Sequence, residues 1–267
     1  VKYNANESTA IRLTGGRALR ISNFISDNIS LLASNRDISI SSNLFPEIAW
    51  NYGLNLSHCF YLFDREGTVN IDFYRTDFEN HVVVNMEDQG MLSFTNLVDY
   101  GKNTSFSNAL QFDFSYSVSN NFDMKLAYKF NHAKSTYPDI NMWDVTELKE
   151  IPLLPKQRGL VNLIYSNSNE NWMFDATLNY VGKSRIPQHE SINKEYSEPF
   201  SVINCQITHK LNDFDFYIGG ENLLEYKQDN PILNYENPSS DSFDASLIWA
   251  PVMGRRIYFG LRYKLPI

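Results

Sequence analysis

The sequence predicts an all-β fold, an antiparallel transmembrane β-barrel, and three observations carry that expectation. The first is alternation. In SFSNALQFDFSYSVSNNFDMKLAYKF, Ser105 to Phe130, one parity holds Phe106, Leu110, Phe112, Phe114, Tyr116 and Val118, with Asn108 its only polar member. The other parity holds Ser105, Ser107, Ala109, Gln111, Asp113, Ser115 and Ser117. After Ser119-Asn120-Asn121 the pattern resumes, with Phe122, Met124, Leu126, Tyr128 and Phe130 set against Asp123, Lys125, Ala127, Lys129 and Asn131. A period of two is a strand with unlike faces. The second observation is that short and long connections alternate along the chain. The third is the lack of any convincing helical period or any apolar run of about 18 residues, which excludes an ordinary transmembrane helix and leaves a barrel open.

Periodicity gives about ten strands. They fall near Ser8–Thr14, Glu47–Phe63, Thr68–Val84, Thr104–Ser119, Phe122–Tyr137, Arg158–Ser166, Trp172–Lys183, Phe200–Leu211, Phe214–Leu224 and Arg255–Leu265. In the third, Val69, Ile71 and Phe73 share a parity that Tyr74 and Phe78 do not, so a β-bulge is expected near Tyr74-Arg75. A short turn is expected within Asp144–Glu150. The segments Asp64–Gly67, Ser119–Asn121, Asn167–Asn171 and Asn212-Asp213 are short and made of turn formers. Gly15–Pro46, Met86–Asn103, Pro138–Gln157, Pro187–Pro199 and Asp229–Gly254 are longer, polar and aromatic. Short turns at one end and long loops at the other is how outer-membrane barrels are built.

Hydrocarbon explains why such strands exist at all. Every backbone N–H and C=O there must be paired internally, and a closed barrel achieves this without helices. About 9–11 residues cross the apolar core, and Phe106–Val118 is long enough. The aromatic parity is expected to face lipid, with Trp172, Tyr180 and Tyr263 at the interfacial belts. The last strand shows the same design: in RRIYFGLRYKLPI the residues Ile257, Phe259, Leu261, Tyr263, Leu265 and Ile267 alternate with Arg256, Tyr258, Gly260, Arg262, Lys264 and Pro266.

The chain has 267 residues and a net charge of −8, with aromatic residues at 14%. The acidic balance speaks against a nucleic-acid partner. No initiator Met or signal peptide opens the sequence, and a piece of a longer precursor is the expectation. No linker divides it, so residues 1–267 read as one architectural unit. Cys59 and Cys205 are expected to be free, buried thiols, because two cysteines do not make a disulfide scaffold.

The motifs point to no catalytic chemistry. His58, His81, His132, His189 and His209 show no metal-ligand spacing, and His58-Cys59 would point to opposite faces of a strand. No metal site and no cofactor are expected. The strand carboxylates, among them Asp72, Asp113, Asp123, Asp175 and Asp215, alternate with apolar positions and read as lumen polarity rather than a catalytic pair. There is no nucleophile elbow or P-loop. Gly15-Gly16 and Gly219-Gly220 are expected to relieve crowding or bend strands. Aromatics on polar loops favour binding, which makes Trp143, His189, Tyr196 and Tyr235 the ligand-binding candidates and leaves no catalytic residue.

Five stretches in order then resemble the C-terminal half of the barrel of a TonB-dependent outer-membrane receptor of the Bacteroidota type. They are IRLTGGRALRISNFISDN (Ile11–Asn28), PEIAWNYGLNL (Pro46–Leu56), VNIDFYRTDFENHVVV (Val69–Val84), GGENLLEYKQDNPI (Gly219–Ile232) and SFDASLIWAPVMGRRIYFGLRYKL (Ser242–Leu265). The resemblance covers essentially the whole chain. It implies a barrel of about 22 strands, of which the last ten or so are present, completed by the remaining N-terminal barrel segment. It also implies a plug domain outside this chain and energised import across the outer membrane of a Gram-negative cell, driven through the TonB complex. A ferric siderophore or other metal chelate is the leading substrate class. The alternatives are an oligosaccharide or peptide importer working with a surface lipoprotein, a small outer-membrane barrel enzyme (protease or lipase), and a secreted glycan-binding β-domain. The ending Leu265-Pro266-Ile267 departs from the terminal aromatic residue that many outer-membrane proteins carry.

Overall fold

The computed structural model describes residues 1–88, 90–97, 105–139, 142–189 and 191–265, the side chains of 138, 139 and 142–146 excepted. Fifteen strands run along them. β1 spans Lys2–Asn6, β2 Thr9–Arg20, β3 Asp37–Ile40, β4 Glu47–Leu62 and β5 Arg65–Asn80. β6 is Val82–Asn85, β7 Met91–Asn96, β8 Phe106–Ser119, β9 Phe122–Asp139 and β10 Met142–Glu150. β11 is Gln157–Ser166, β12 Trp172–Val181, β13 Phe200–Leu211, β14 Phe214–Glu221 and β15 Arg256–Tyr263.

One antiparallel sheet follows the order β1-β2-β4-β5-β8-β9-β11-β12-β13-β14-β15, with β10 paired to the far end of β9. Neighbours in space are neighbours in sequence apart from the small strands, so the sheet is an up-and-down meander. It does not close: β1 and β15 are its two edges. The fold is the expected antiparallel barrel wall, as a partial barrel.

Register makes the two faces continuous. Ile11, Leu56, Ile71, Phe112 and Tyr128 stand in one row across five strands. Phe174, Ile207, Ile218 and Phe259 form another across the last four. One residue along, Arg12, Asn55, Asp72, Gln111, Lys129 and Arg158 form the row of the opposite face. That face bonds within itself: the Asn55 amide donates to Asp72 at 2.8 Å, Gln111 to Asp113 at 2.8 Å and Asn162 to Asp175 at 3.0 Å. The apolar face packs on no second sheet. Phe112 is 37% exposed, Leu261 56% and Phe259 88%.

At the short-turn end, β4 and β5 are joined through Phe63 and Asp64 alone, both at positive φ (51° and 57°). Such turns match the right-handed twist of the strands they join. Aromatic pairs crowd this end, with Trp172 on His209 at 4.3 Å and Phe214 on Tyr263 at 4.8 Å between ring centres.

The dry core lies in the long loops rather than behind the sheet. A wall with two wet or lipid-facing sides encloses nothing alone, whereas stacked loops do. β6, β7 and β3 form a three-stranded sheet there, β3 parallel to β7. Around it Leu31, Met86, Leu92, Phe94, Leu233 and Leu247 close a cluster drawn from the β2–β4, β5–β8 and β14–β15 connections. Phe94 is 0% exposed, a burial that stabilises by about 1.5–3 kcal/mol. A second cluster joins Val83, Leu97 and Tyr137, with Phe78 against it.

Several expectations are corrected here. Asp144–Glu150 belongs to β10, because Thr146 to Glu150 pair along Pro138 to Lys134 of β9. The Gly15–Pro46 and Met86–Asn103 connections carry β3 and β7, and β2 runs through Gly15-Gly16 to Arg20. Two short helical turns, α1 at Phe24–Asp27 and a 3-10 turn at Ile29–Leu32, appear where no helical period was visible. The bulge sits at Glu79: Ile48 pairs with Asn80 and Ala49 with Phe78, while Tyr74 and Arg75 pair regularly with Gly53 and Tyr52. Tyr74 turns to the polar face because it lies over Gly53, where a Cβ would strike its ring. Of the two glycine pairs, Gly219 does relieve crowding, since a Cβ would overlap the ring of Tyr258, its partner on β15. Gly15 and Gly16 do not; the nearest atom to a Cβ on Gly15 is 4.0 Å away on Tyr52. Cys59 and Cys205 are free, as expected, but half-buried rather than buried. Pro266 and Ile267 lie outside the described residues.

Candidate functional site

β9 is long enough to leave the wall and rise into the loop end, where β10 folds back on it with Glu150 opposite Lys134 and Glu147 opposite Tyr137. Facing this ribbon is the β12–β13 connection, itself a ragged hairpin. Arg185 bridges to Tyr196, the Ile186 amide donates to the Glu195 carbonyl at 2.8 Å, and the Ser184 amide donates to Ser197 Oγ at 2.9 Å. Its tip turns at His189, whose carbonyl accepts from Ile192 N at 2.9 Å and whose Nδ1 accepts from Ser191 N at 3.1 Å. The Leu153 amide ties the hairpin to the β10–β11 connection through the Arg185 carbonyl at 2.9 Å.

Between ribbon and hairpin lies a cavity of about 720 Å³, open to solvent, whose wall includes Lys134, Glu147, Lys149, Glu150, Glu195 and Tyr196. Glu87, from the β5–β8 connection, and Arg185 also line it. These two form a buried ion pair, with side chains 2% and 7% exposed. The Arg185 Nε also donates to the Glu150 carbonyl at 2.6 Å, and Glu87 accepts from Gln188 N at 3.2 Å. The Arg185 guanidinium lies 5.7 Å from the centre of the Tyr137 ring, while Nη2 is enclosed without a hydrogen-bond partner among the described residues. A buried pair held this way fixes geometry more than it adds stability. It locks the hairpin, β10 and the β5–β8 connection into one rim.

Electrostatics around Tyr196 are specific. Lys156 stands over its ring at 5.0 Å and donates to Glu150 at 2.7 Å. That bond, above all, raises the Lys156 pKa, and Glu195 adds to it. Burial raises the Tyr196 hydroxyl, reinforced by the Glu150 carboxylate. Both shifts run away from neutrality, so these two groups offer a fixed positive charge and a hydroxyl donor. Among the described residues no cluster of three metal-ligating side chains occurs.

Of the four ligand-binding candidates, His189 and Tyr196 line this cavity. Tyr235 does not; it stands 62% exposed on the β14–β15 connection, beside the turn that Asn234 makes at φ 51°. The side chain of Trp143 lies outside the described residues. Sequence reasoning passed over Glu87, Lys134, Arg185 and Glu195. Aromatic content singled out loop residues, whereas these four are ordinary charges whose significance arises from partners far away in sequence.

The sheet order, the alternating connection lengths and the one-sided apolar band agree with one family. Its model, described as TonB dependent receptor-like, beta-barrel, matches residues 1–223. The chain belongs to that family. No curated protein matches the sequence. Among solved structures, this receptor barrel is similar to the ferric enterobactin receptor PfeA of Pseudomonas aeruginosa, with 11% identity and a TM-score of 0.62 over 97% of this chain and 39% of that one. The siderophore receptor PiuA of Acinetobacter baumannii matches at 13% identity and a TM-score of 0.60, over 98% of this chain and 34% of its own. The copper transporter OprC matches at 13% identity and a TM-score of 0.66, over 98% and 38%. Likeness at such identities shows a shared fold. The receptor barrel chain spans roughly a third to two-fifths of the length of these structures.

Proposed function

We propose that this chain is the C-terminal part, across residues 1–267, of an outer-membrane TonB-dependent receptor that imports a scarce nutrient. The observation that carries the reading is the pairing of an open, one-sided apolar wall with a rigid, charged cavity at its long-loop end. The wall is built for lipid on one side and a wet lumen on the other. Its free edges β1 and β15 each present unpaired backbone groups, which an N-terminal barrel segment would satisfy. Ligand is captured at the cavity, where His189 and Tyr196 lie, and passes inward when the TonB complex acts on a plug filling the lumen. The leading cargo is a ferric siderophore or another metal chelate. Three relatives in fold are named for siderophores, enterobactin or copper, which supports that class.

The test is uptake by cells carrying the full-length receptor. Under iron limitation, deleting the gene should abolish growth on the chelate it serves, and an uncoupler should stop accumulation of radiolabelled metal within minutes. Growth and accumulation untouched by both treatments would contradict the importer reading.

A further inference from the structure

Among the described residues the cavity wall carries eight charged side chains, four acidic and four basic: Glu87, Glu147, Glu150 and Glu195 against Lys134, Lys149, Arg185 and Lys194. Six of them are held in ion pairs. Glu87 binds Arg185, Glu147 binds Lys149 at 3.0 Å, Glu150 binds Lys156 at 2.7 Å, and Lys194 binds Glu198 at 3.1 Å. Lys134 and Glu195 make no salt bridge among the described residues. They come from different elements, Lys134 from β9 and Glu195 from the hairpin facing it. Among the described residues the site therefore shows an incoming ligand one cation and one anion outside any ion pair, Glu195 lying only in the longer-range field of Lys156, on a wall whose other charges are paired.

We propose, resting on the receptor reading above, that this cavity recognises a zwitterionic, peptide-like ligand, its carboxylate on Lys134 and its ammonium on Glu195. A polyanion would gain at Lys134 but meet the carboxylate of Glu195, and that like-charge approach opposes binding. A neutral glycan would leave both charges without a partner. A ligand of both signs satisfies both, and charge-assisted hydrogen bonds are the stronger ones. The volume of about 720 Å³ lies in the range of small-molecule sites. Tyr196 adds an aromatic ring to the same wall, its hydroxyl kept protonated by burial. Two sources share this chemistry, a free oligopeptide and a peptidic metal chelate.

The experiment uses the full-length receptor in detergent, with peptides retained on it identified by mass spectrometry. One pool holds tri- to pentapeptides with free termini. A second holds hydroxamate-bearing peptides of the same length, loaded with ferric iron. N-acetylated and C-amidated versions accompany both. Retention of free-termini peptides should exceed that of either blocked form at least tenfold. Lys134→Gln should remove the penalty for amidation and Glu195→Gln the penalty for acetylation, each leaving the other intact. Preference for the first pool identifies a free peptide, and preference for the second a chelate. Equal retention of blocked and free forms, no retention from either pool, or variants without effect would overturn the inference. Accumulation that still responds to an uncoupler would then leave the importer reading standing, whereas loss of that response would sink the importer reading itself.

Discussion

Arg36 and Asp244 are 208 residues apart in sequence, yet Arg36 Nη2 donates to Asp244 Oδ2 at 2.6 Å and to Ser246 Oγ at 2.8 Å, with both charged side chains under 5% exposed. This pair pins the first long loop to the last. Asp244→Ala leaves a buried guanidinium unpaired, which should cost about 3–5 kcal/mol, read as faster amide exchange across β7. Lys194→Gln removes an exposed i,i+4 pair and should change stability by about 0.5 kcal/mol or less. His81 provides a pH prediction. Its ring packs on Phe78 at 4.7 Å, Nε2 meets Ser135 Oγ at 3.0 Å, and the enclosed Nδ1 has no hydrogen-bond partner among the described residues. Burial lowers its pKa to about 4, against the opposing field of Glu47. The unfolded chain then binds the proton more readily, so loop stability is complete above the ordinary histidine value of about 6.5 and falls as pH drops toward 4. The loss reaches about 3 kcal/mol. Melting of the loop end followed from pH 7.5 to 4.5 should show it, and His81→Phe should flatten the profile.

Strands behave as alternating environments, and that is why they were readable. A residue such as Phe112 or Asp72 meets the same surroundings as those two positions away, so the pattern in sequence is the pattern in space. Ile71→Arg, in the middle of the apolar row, should cost about 2–4 kcal/mol in refolding into lipid vesicles, whereas Asp72→Asn on the other face should change little. Gly260→Val tests a tighter constraint, because a side chain there would overlap the ring of Tyr217 across β14. Opening of the β14–β15 edge, seen as lost protection of Ile218 and Phe259, is the expected result. The bulge was visible as a change of phase but displaced, because Tyr74 faces the polar side to fill the space over Gly53, five residues before the break at Glu79. β3 and β7 were missed because they are only four and six residues long, too short for an alternating pattern to stand out inside a long polar connection, and β7 is buried by loops from elsewhere in the chain.

At the scale of the whole molecule, legibility follows contact range. The wall pairs neighbours, so its order could be read strand by strand. The cavity pairs distant residues, as when Glu87 meets Arg185 98 positions away, and no local period records that. Aromatic composition led to His189 and Tyr196 but could not separate them from Tyr235. The charges that make the cavity selective carried no mark until the fold brought them together. What unites wall and cavity is the claim that the row of Ile11, Leu56, Ile71 and Phe112 faces hydrocarbon while Arg12, Asn55, Asp72 and Gln111 face water. Spin labels placed singly at residues 69 to 75 and 109 to 115 of the full-length receptor in bilayers test this directly. Accessibility to oxygen should peak at 69, 71, 73, 110, 112 and 114, and accessibility to a water-soluble nickel chelate at the positions between. Uniform accessibility, or nickel maxima at 71 and 112, would contradict it.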